Sequence, residues 1–131
     1  MQTRVAVRWS DEDGFGHVNN AAYLTYLEEG RDRLFDAVFP DSAYDFVLAR
    51  IEIDYRVALT HRDAEVLVDV DVEEYGRSSV RTREVVRTRD GRVAAEARTV
   101  AVAYDHALGR PRPLRDEELA SLAASMSATT T

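Results

Sequence analysis

The sequence predicts an α+β domain: one long helix on an antiparallel sheet of about five strands. Three observations carry this. A stripe of apolar residues at helical spacing runs from Tyr23 to Val38. Four later runs alternate apolar with mostly polar residues, as half-buried strands do. Tyr75-Gly76 and Asp90-Gly91 join these runs closely, which makes the joined strands antiparallel neighbours. A helix laid on such a sheet buries both apolar faces in one core.

The elements follow in order. Residues 3–9, TRVAVRW, put Val5, Val7 and Trp9 on one face of a first strand. From Asn20 to Phe39 the pattern is helical. Tyr23, Leu27, Gly30, Leu34 and Val38 form its apolar stripe, and Glu28, Glu29, Arg31, Asp32, Arg33 and Asp36 decorate the rest. Pro40 stops it. Gly30 costs the helix ~1 kcal/mol of propensity, which a close approach by another backbone would explain. Val47, Ala49, Ile51, Ile53, Tyr55, Val57 and Leu59 alternate through 46–59, and Val66, Val68, Val70 and Val72 through 65–74. Runs 77–89 and 92–105 complete the sheet. LGRPRPL breaks the pattern. Leu119, Leu122, Ala123 and Met126 then form a short amphipathic helix with Asp116 as its N-cap. The single domain is expected to span 1–126, with 127–131 a flexible tail. Free sheet edges allow two copies to pair edge to edge.

Composition narrows the function. The chain has 131 residues and no cysteine, which excludes disulfides, thiolate metal sites and a cysteine nucleophile, and fits a cytoplasmic protein. No apolar run approaches the ~20 residues needed to span a bilayer, and MQTRVAVRWS has no signal-peptide core. The net charge of −7 argues against nucleic-acid binding. All 17 basic residues are arginine, so Schiff-base chemistry is excluded. Arg77, Arg81, Arg83, Arg87 and Arg89 share one strand face. An even register about Tyr75-Gly76 sets Asp71 opposite Arg81, Asp69 opposite Arg83 and Glu65 opposite Arg87. Such a ladder of ion pairs explains most of the stripe and leaves Arg77 and Arg89 without partners. Glu84 falls on the apolar face with Val80 and Val86, where an unpaired carboxylate is costly. A cavity or a second subunit would account for it.

Residues 11–20, DEDGFGHVNN, carry the chemistry. Asp11, Asp13 and Gly16 match the start of a calcium loop, but Phe15 and Ala22 stand where oxygen ligands are required. His17, His61 and His106 have no zinc spacing, and there is no GxSxG nucleophile elbow. No metal or cofactor is expected. A plain turn would use Gly14 and Gly16 at positive φ and an asparagine cap. Two features go beyond a turn. The stretch opens a helix of about five turns, whose first N–H groups lack acceptors and carry partial positive charge. Asp13 lies a short loop away. A carboxylate beside polarising N–H donors is what attack on an acyl carbonyl requires.

VRWSDEDGFGHVNNAAYLTYLEEGR resembles the hot-dog-fold acyl-CoA thioesterases of the 4-hydroxybenzoyl-CoA thioesterase type. Asp11, Asp13, Gly16, His17, Val18, Asn20 and Tyr23 fit their Asp-x-Asp-x-x-Gly-(His)-Val-x-Asn-x-x-x-Tyr signature. The likeness continues through YGRSS, DGRVAAEARTVAVAYD and GRPRPL. It implies a sheet wrapped around one central helix and hydrolysis of an acyl-CoA or acyl carrier protein thioester. Asp13 takes the position of the catalytic carboxylate, as nucleophile or general base; Asp11 and Glu12 read as loop residues. The N–H near Asn20 would polarise the carbonyl, and Gly16 would admit the substrate. His17, Asn19 and Tyr23 would line the substrate site, although His17 could equally pack and the asparagines could serve only as caps. Arg77, Ser78 and Ser79, with Arg110 behind them, would meet the CoA phosphates. Glu28 and Glu29 take the place of a helix glutamate that other hot-dog thioesterases use, but a solvated helix face explains them more simply. The resemblance also implies a homodimer or homotetramer with its site between subunits. The alternative is a non-catalytic acyl-CoA-binding or scaffold protein of the same fold; a hot-dog dehydratase ranks behind it.

Overall fold

The computed structural model describes residues 1–129, with side chains through Ser127. In chain order it contains β1 (Gln2–Ala6), α1 (Asn20–Val38), β2 (Phe46–Tyr55), β3 (Glu65–Tyr75), β4 (Ser79–Arg87), β5 (Val93–Asp105), β6 (Arg110–Pro111) and α2 (Asp116–Thr129). The sheet runs β1-β3-β4-β5-β2, every pair antiparallel, and the two-residue β6 adds to β5. Helix α1 lies against β1, β3 and β4, and α2 packs on β3 and α1. The helix-on-sheet arrangement expected from the sequence is therefore present. Among the described residues no helix is long and apolar enough to cross a membrane. Helix α2 includes residues 127–129 of the expected tail; 130 and 131 lie outside the described residues.

The core follows from the two periodicities. Val66, Val68, Val70 and Val72 point from β3 at α1 and are buried, as are Tyr23, Leu27, Leu34 and Val38. Gly30 is the point of closest approach. A Cβ there would lie 2.5 Å from Val68 Cγ1 and 3.1 Å from Val70 Cγ2, so valine side chains, not a backbone, require the glycine.

Several expectations are corrected. The first strand ends at Ala6, a short 3-10 turn takes Trp9–Asp11, and Trp9 is 75% exposed. A bulge between Leu48 and Arg50 breaks the alternation expected through 46–59, and β2 stops at Tyr55. The β3–β4 turn centres on Arg77-Ser78, not Tyr75-Gly76, because Tyr75 pairs with Val80, and a bulge follows between Val72 and Glu74. Asp71 therefore faces Arg83, not Arg81. The ladder survives with other partners: Arg81 with Glu74, Arg83 with Glu96, and Arg87 with Asp69.

Glu84 meets neither a cavity nor a second subunit. It is fully buried between sheet and helix, and Arg31 Nη1 donates to its Oε1 at 2.9 Å. The Thr82 and Thr99 hydroxyls donate to its other oxygen. Arg31 thus leaves the polar helix face and turns into the core. At α2, Arg112 pairs with the buried Glu118 at 2.7 Å, and Ser42 and the Arg115 N–H bond the same carboxylate. Burial opposes ionisation of Glu118, but these donors outweigh it and hold the carboxyl at about 2.

Candidate active site

The DEDGFGHVNN stretch folds back on itself and feeds directly into α1. Asn19 N–H donates to the Asp11 carbonyl, Glu12 bridges to Val18, and Asp13 N–H donates to the His17 carbonyl. Residues 11–13 and 17–19 therefore run antiparallel, with an exposed tip between them. Asp13 shapes the tip: its Oδ1 accepts the Phe15 N–H at 2.9 Å and its carbonyl accepts the Gly16 N–H. Gly16 sits at φ +79°, and nothing lies within 4 Å of where a Cβ would stand, so its outer face is open. Gly14 has no positive φ, contrary to expectation.

The helix start is built as the residue types require. Asn19 is the N-cap, and its Oδ1 accepts the Ala21 N–H at 2.8 Å. Ala22 N–H reaches the Asn19 carbonyl. The Asn20 N–H has no acceptor among the described residues. A donor at the positive end of a 19-residue helix is left open to an external oxygen.

The two acids expected to be plain loop residues prove to be anchors. Asp11 is buried, and its carboxylate accepts the Arg8 N–H, the Arg8 guanidinium and the Tyr26 hydroxyl. Burial raises its pKa, but those donors outweigh it and the net shift is downward. Burial, and then the bond to Asp11, push the Tyr26 hydroxyl far up. Glu12 Oε2 accepts both the His61 N–H, at 2.7 Å, and His61 Nδ1, at 2.6 Å. These bonds, the backbone one foremost, keep Glu12 below the usual carboxylate range. No sequence spacing marked either partnership.

The other expected site residues divide by location. His17 is exposed beside Asp13. Tyr23 is buried; its hydroxyl donates to the Val57 carbonyl and accepts the Leu59 N–H, and its ring meets Tyr55 edge-on. It supports the site from beneath. Glu28 and Glu29 are exposed, as a solvated face requires. Arg77, Ser78 and Ser79 gather with the segment that follows Arg110: Ala103 N–H donates to the Ser78 carbonyl and Leu114 N–H to the Arg77 carbonyl. That end of the sheet lies by Phe46, which pairs with Ala103. Asp13 lies at the other end, where the Tyr55 hydroxyl donates to the Asn20 carbonyl. The length of α1, ~28 Å, separates the two within one chain. Among the described residues, no three His, Asp or Glu side chains gather as a metal site.

Residues 7–122 match the family model of the thioesterase-like superfamily. The chain belongs to that superfamily. This hot-dog thioesterase is 29% identical over 113 residues to the long-chain acyl-CoA thioesterase FadM of Escherichia coli K12, covering 80% of this chain and 83% of FadM. It is 38% identical to a Thermus thermophilus thioesterase solved with coenzyme A and zinc, with a TM-score of 0.87 over 96% of this chain and 93% of that one. A thioesterase from Bacillus stearothermophilus, itself a predicted one, is 30% identical with a TM-score of 0.86, over 95% and 94% of the two chains. The thioester hydrolase therefore has the fold and the helix-start loop that its sequence led one to expect.

Proposed function

We propose that this thioesterase hydrolyses an acyl-CoA to free acid and CoA, with Asp13 as the reactive carboxylate. The observation that carries the reading is the open Asn20 N–H beside the Asp13 loop. A thioester carbonyl seated on that N–H is polarised, and the helix end favours the negative oxygen that develops on attack. Asp13 either attacks the carbonyl carbon and expels the thiolate, leaving an anhydride that water cleaves to free acid and Asp13, or takes a proton from a water that attacks the carbonyl and displaces the thiolate. Gly16, without a side chain, lets the acyl group pass close to the backbone.

The CoA end requires a second copy. Strand β2 is a free edge, with its Tyr55 end by Asp13 and its Phe46 end by Arg77, Ser78 and Ser79. Antiparallel pairing of two β2 strands sets the Tyr55 end of one protomer beside the Phe46 end of the other. Each Asp13 is then served by arginines of the partner, with Arg110 near them. Arginine forks suit phosphate, and Arg77 has no ion-pair partner among the described residues. The unit is accordingly a homodimer or an assembly of such dimers.

The test is thiol release from a panel of acyl-CoAs by the wild type and Asp13→Asn. The variant is expected to lose at least ~100-fold in kcat, the lower range for a positioned base or nucleophile. A fully active variant removes Asp13 from this role. Saturable acyl-CoA binding without thiol release by the wild type would instead favour a binding protein. Light scattering that finds a monomer at micromolar concentration would refute the shared site.

A further inference from the structure

We propose that Glu12 and His61 form a positioning pair that holds Asp13 in place for attack; the inference rests on the thioesterase reading with Asp13 as the reactive carboxylate. Glu12 is the last fixed residue before the exposed tip 13–17, and Val18 is the first buried residue after it. Both dock on one segment: Val18 N–H donates to the Leu59 carbonyl at 2.7 Å, and Glu12 takes two donors from His61.

That segment is a rigid mount. His61 opens a 3-10 turn, His61–Asp63, whose first N–H groups lack acceptors inside the turn. The turn is closed by Thr60 and Asp63, with Thr60 N–H donating to Asp63 Oδ2 at 2.9 Å. Glu12 caps its free N–H from outside. Tyr23 of α1 grips the same segment at Val57 and Leu59. Loop and helix start are thus referred to one bracket, residues 57–61.

An ionised carboxylate can only accept, so the bond to Glu12 places the ring proton on Nδ1. Nε2 has no partner among the described residues. The backbone at Glu12 is extended, φ −76° and ψ 147°. Among the described residues His61 bonds Glu12 and not Asp13, whose carboxylate turns instead to the Phe15 N–H. His61 acts through Glu12 and the backbone rather than on substrate. Among the described residues, Asp13's own hydrogen bonds reach Phe15, Gly16 and His17, inside the tip, so the tip is fixed to the body at its two ends, by Glu12 before Asp13 and by Val18 after it. A shift of ~1 Å in a reacting group is worth up to about 100-fold in rate.

The experiment compares thiol release by the wild type, Asp13→Asn, Glu12→Ala, His61→Ala, His61→Asn and the Glu12→Ala/His61→Ala double variant. Each alanine variant is expected to lose about 10–100-fold in kcat with KM unchanged, and the double variant no more than the worse single. Asparagine carries an N–H where His61 has Nδ1, so His61→Asn is expected to recover most of the loss. The ¹⁵N spectrum of the His61 ring should show the proton on Nδ1. Wild-type kcat in His61→Ala beside an inactive Asp13→Asn overturns the pair and leaves the thioesterase reading standing. So does a His61→Asn variant as impaired as His61→Ala, which would assign the work to Nε2. If His61→Ala does not fold, His61→Asn and the ring spectrum decide, and a wild-type ring with no proton on Nδ1 overturns the pair. A fully active Asp13→Asn removes Asp13 itself, and the proposal with it.

Discussion

Replacing Arg31 by methionine should strand a charge in the middle of the protein. Glu84 is fully buried, and Arg31 supplies its only cationic partner among the described residues. Methionine fills much of the space of the arginine stem but donates nothing. Only the Thr82 and Thr99 hydroxyls then face the carboxylate. Breaking one side of a buried pair costs about 3–5 kcal/mol, a large part of the ~5–15 kcal/mol that holds a domain together. The cost should depend on pH, with a sign that follows from the site. Burial already pushes the Glu84 carboxyl up, against the pull of Arg31. Without Arg31 it rises further. A carboxyl with a folded pKa above its unfolded one destabilises progressively as pH rises above the unfolded value, and the loss levels off above the folded value. Urea unfolding at fixed protomer concentration should therefore show a larger deficit for Arg31→Met at pH 8 than at pH 5. Arg31→Met with Glu84→Leu should recover most of the loss, because an apolar pair strands no charge. A deficit under about 1 kcal/mol at pH 8, or one equal at both pH values, would refute the reasoning.

Three further outcomes follow from single contacts. Gly30→Ala gains ~1 kcal/mol of helix propensity but drives a methyl to 2.5 Å from Val68 Cγ1. Valine is stiff there and overpacking costs about 1–3 kcal/mol, so the variant should melt lower, and adding Val68→Ala should cost less than the sum of the two. Glu118 is held at about 2, against 4.5 for an ordinary glutamate, so its bonds stabilise the fold above that ordinary value and are lost as pH falls from 4.5 toward 2. That contribution is about 3 kcal/mol, and Glu118→Gln should flatten this part of the acid melting profile. Asn19→Ala removes the cap on α1 and should cost about 1 kcal/mol by thermal melting, most of it restored by Asn19→Asp.

What the sequence made legible was what repeats or lies close together. The period of Tyr23, Leu27, Leu34 and Val38 sets a helix face, and that of Val66 to Val72 sets a strand face, because burial on one side imposes the spacing. The Asn19 cap and the Gly16 turn are local, so they too could be read. Bulges at Ala49 and beyond Val72 carry no mark in composition, yet each shifts every pairing after it. The β3–β4 turn, moreover, falls at Arg77-Ser78 and not at Tyr75-Gly76, so the arginine ladder was right in kind and wrong in partners.

The polar residues that organise the site were illegible for a different reason. Arg31 meets Glu84, Asp11 meets Tyr26, and Glu12 meets His61, and each partnership closes only after the chain has folded. A lone carboxylate looks alike whether it is solvated or anchored. Here three such acids fix the helix, the loop root and the loop edge, while Asp13 keeps most of its carboxylate free at the exposed tip. That contrast argues for the assignment of roles. An acid held by several donors is committed to structure, because moving it would leave those donors unpaired. An acid with one local hydrogen bond, beside an open helix N–H, is the one left able to meet a carbonyl.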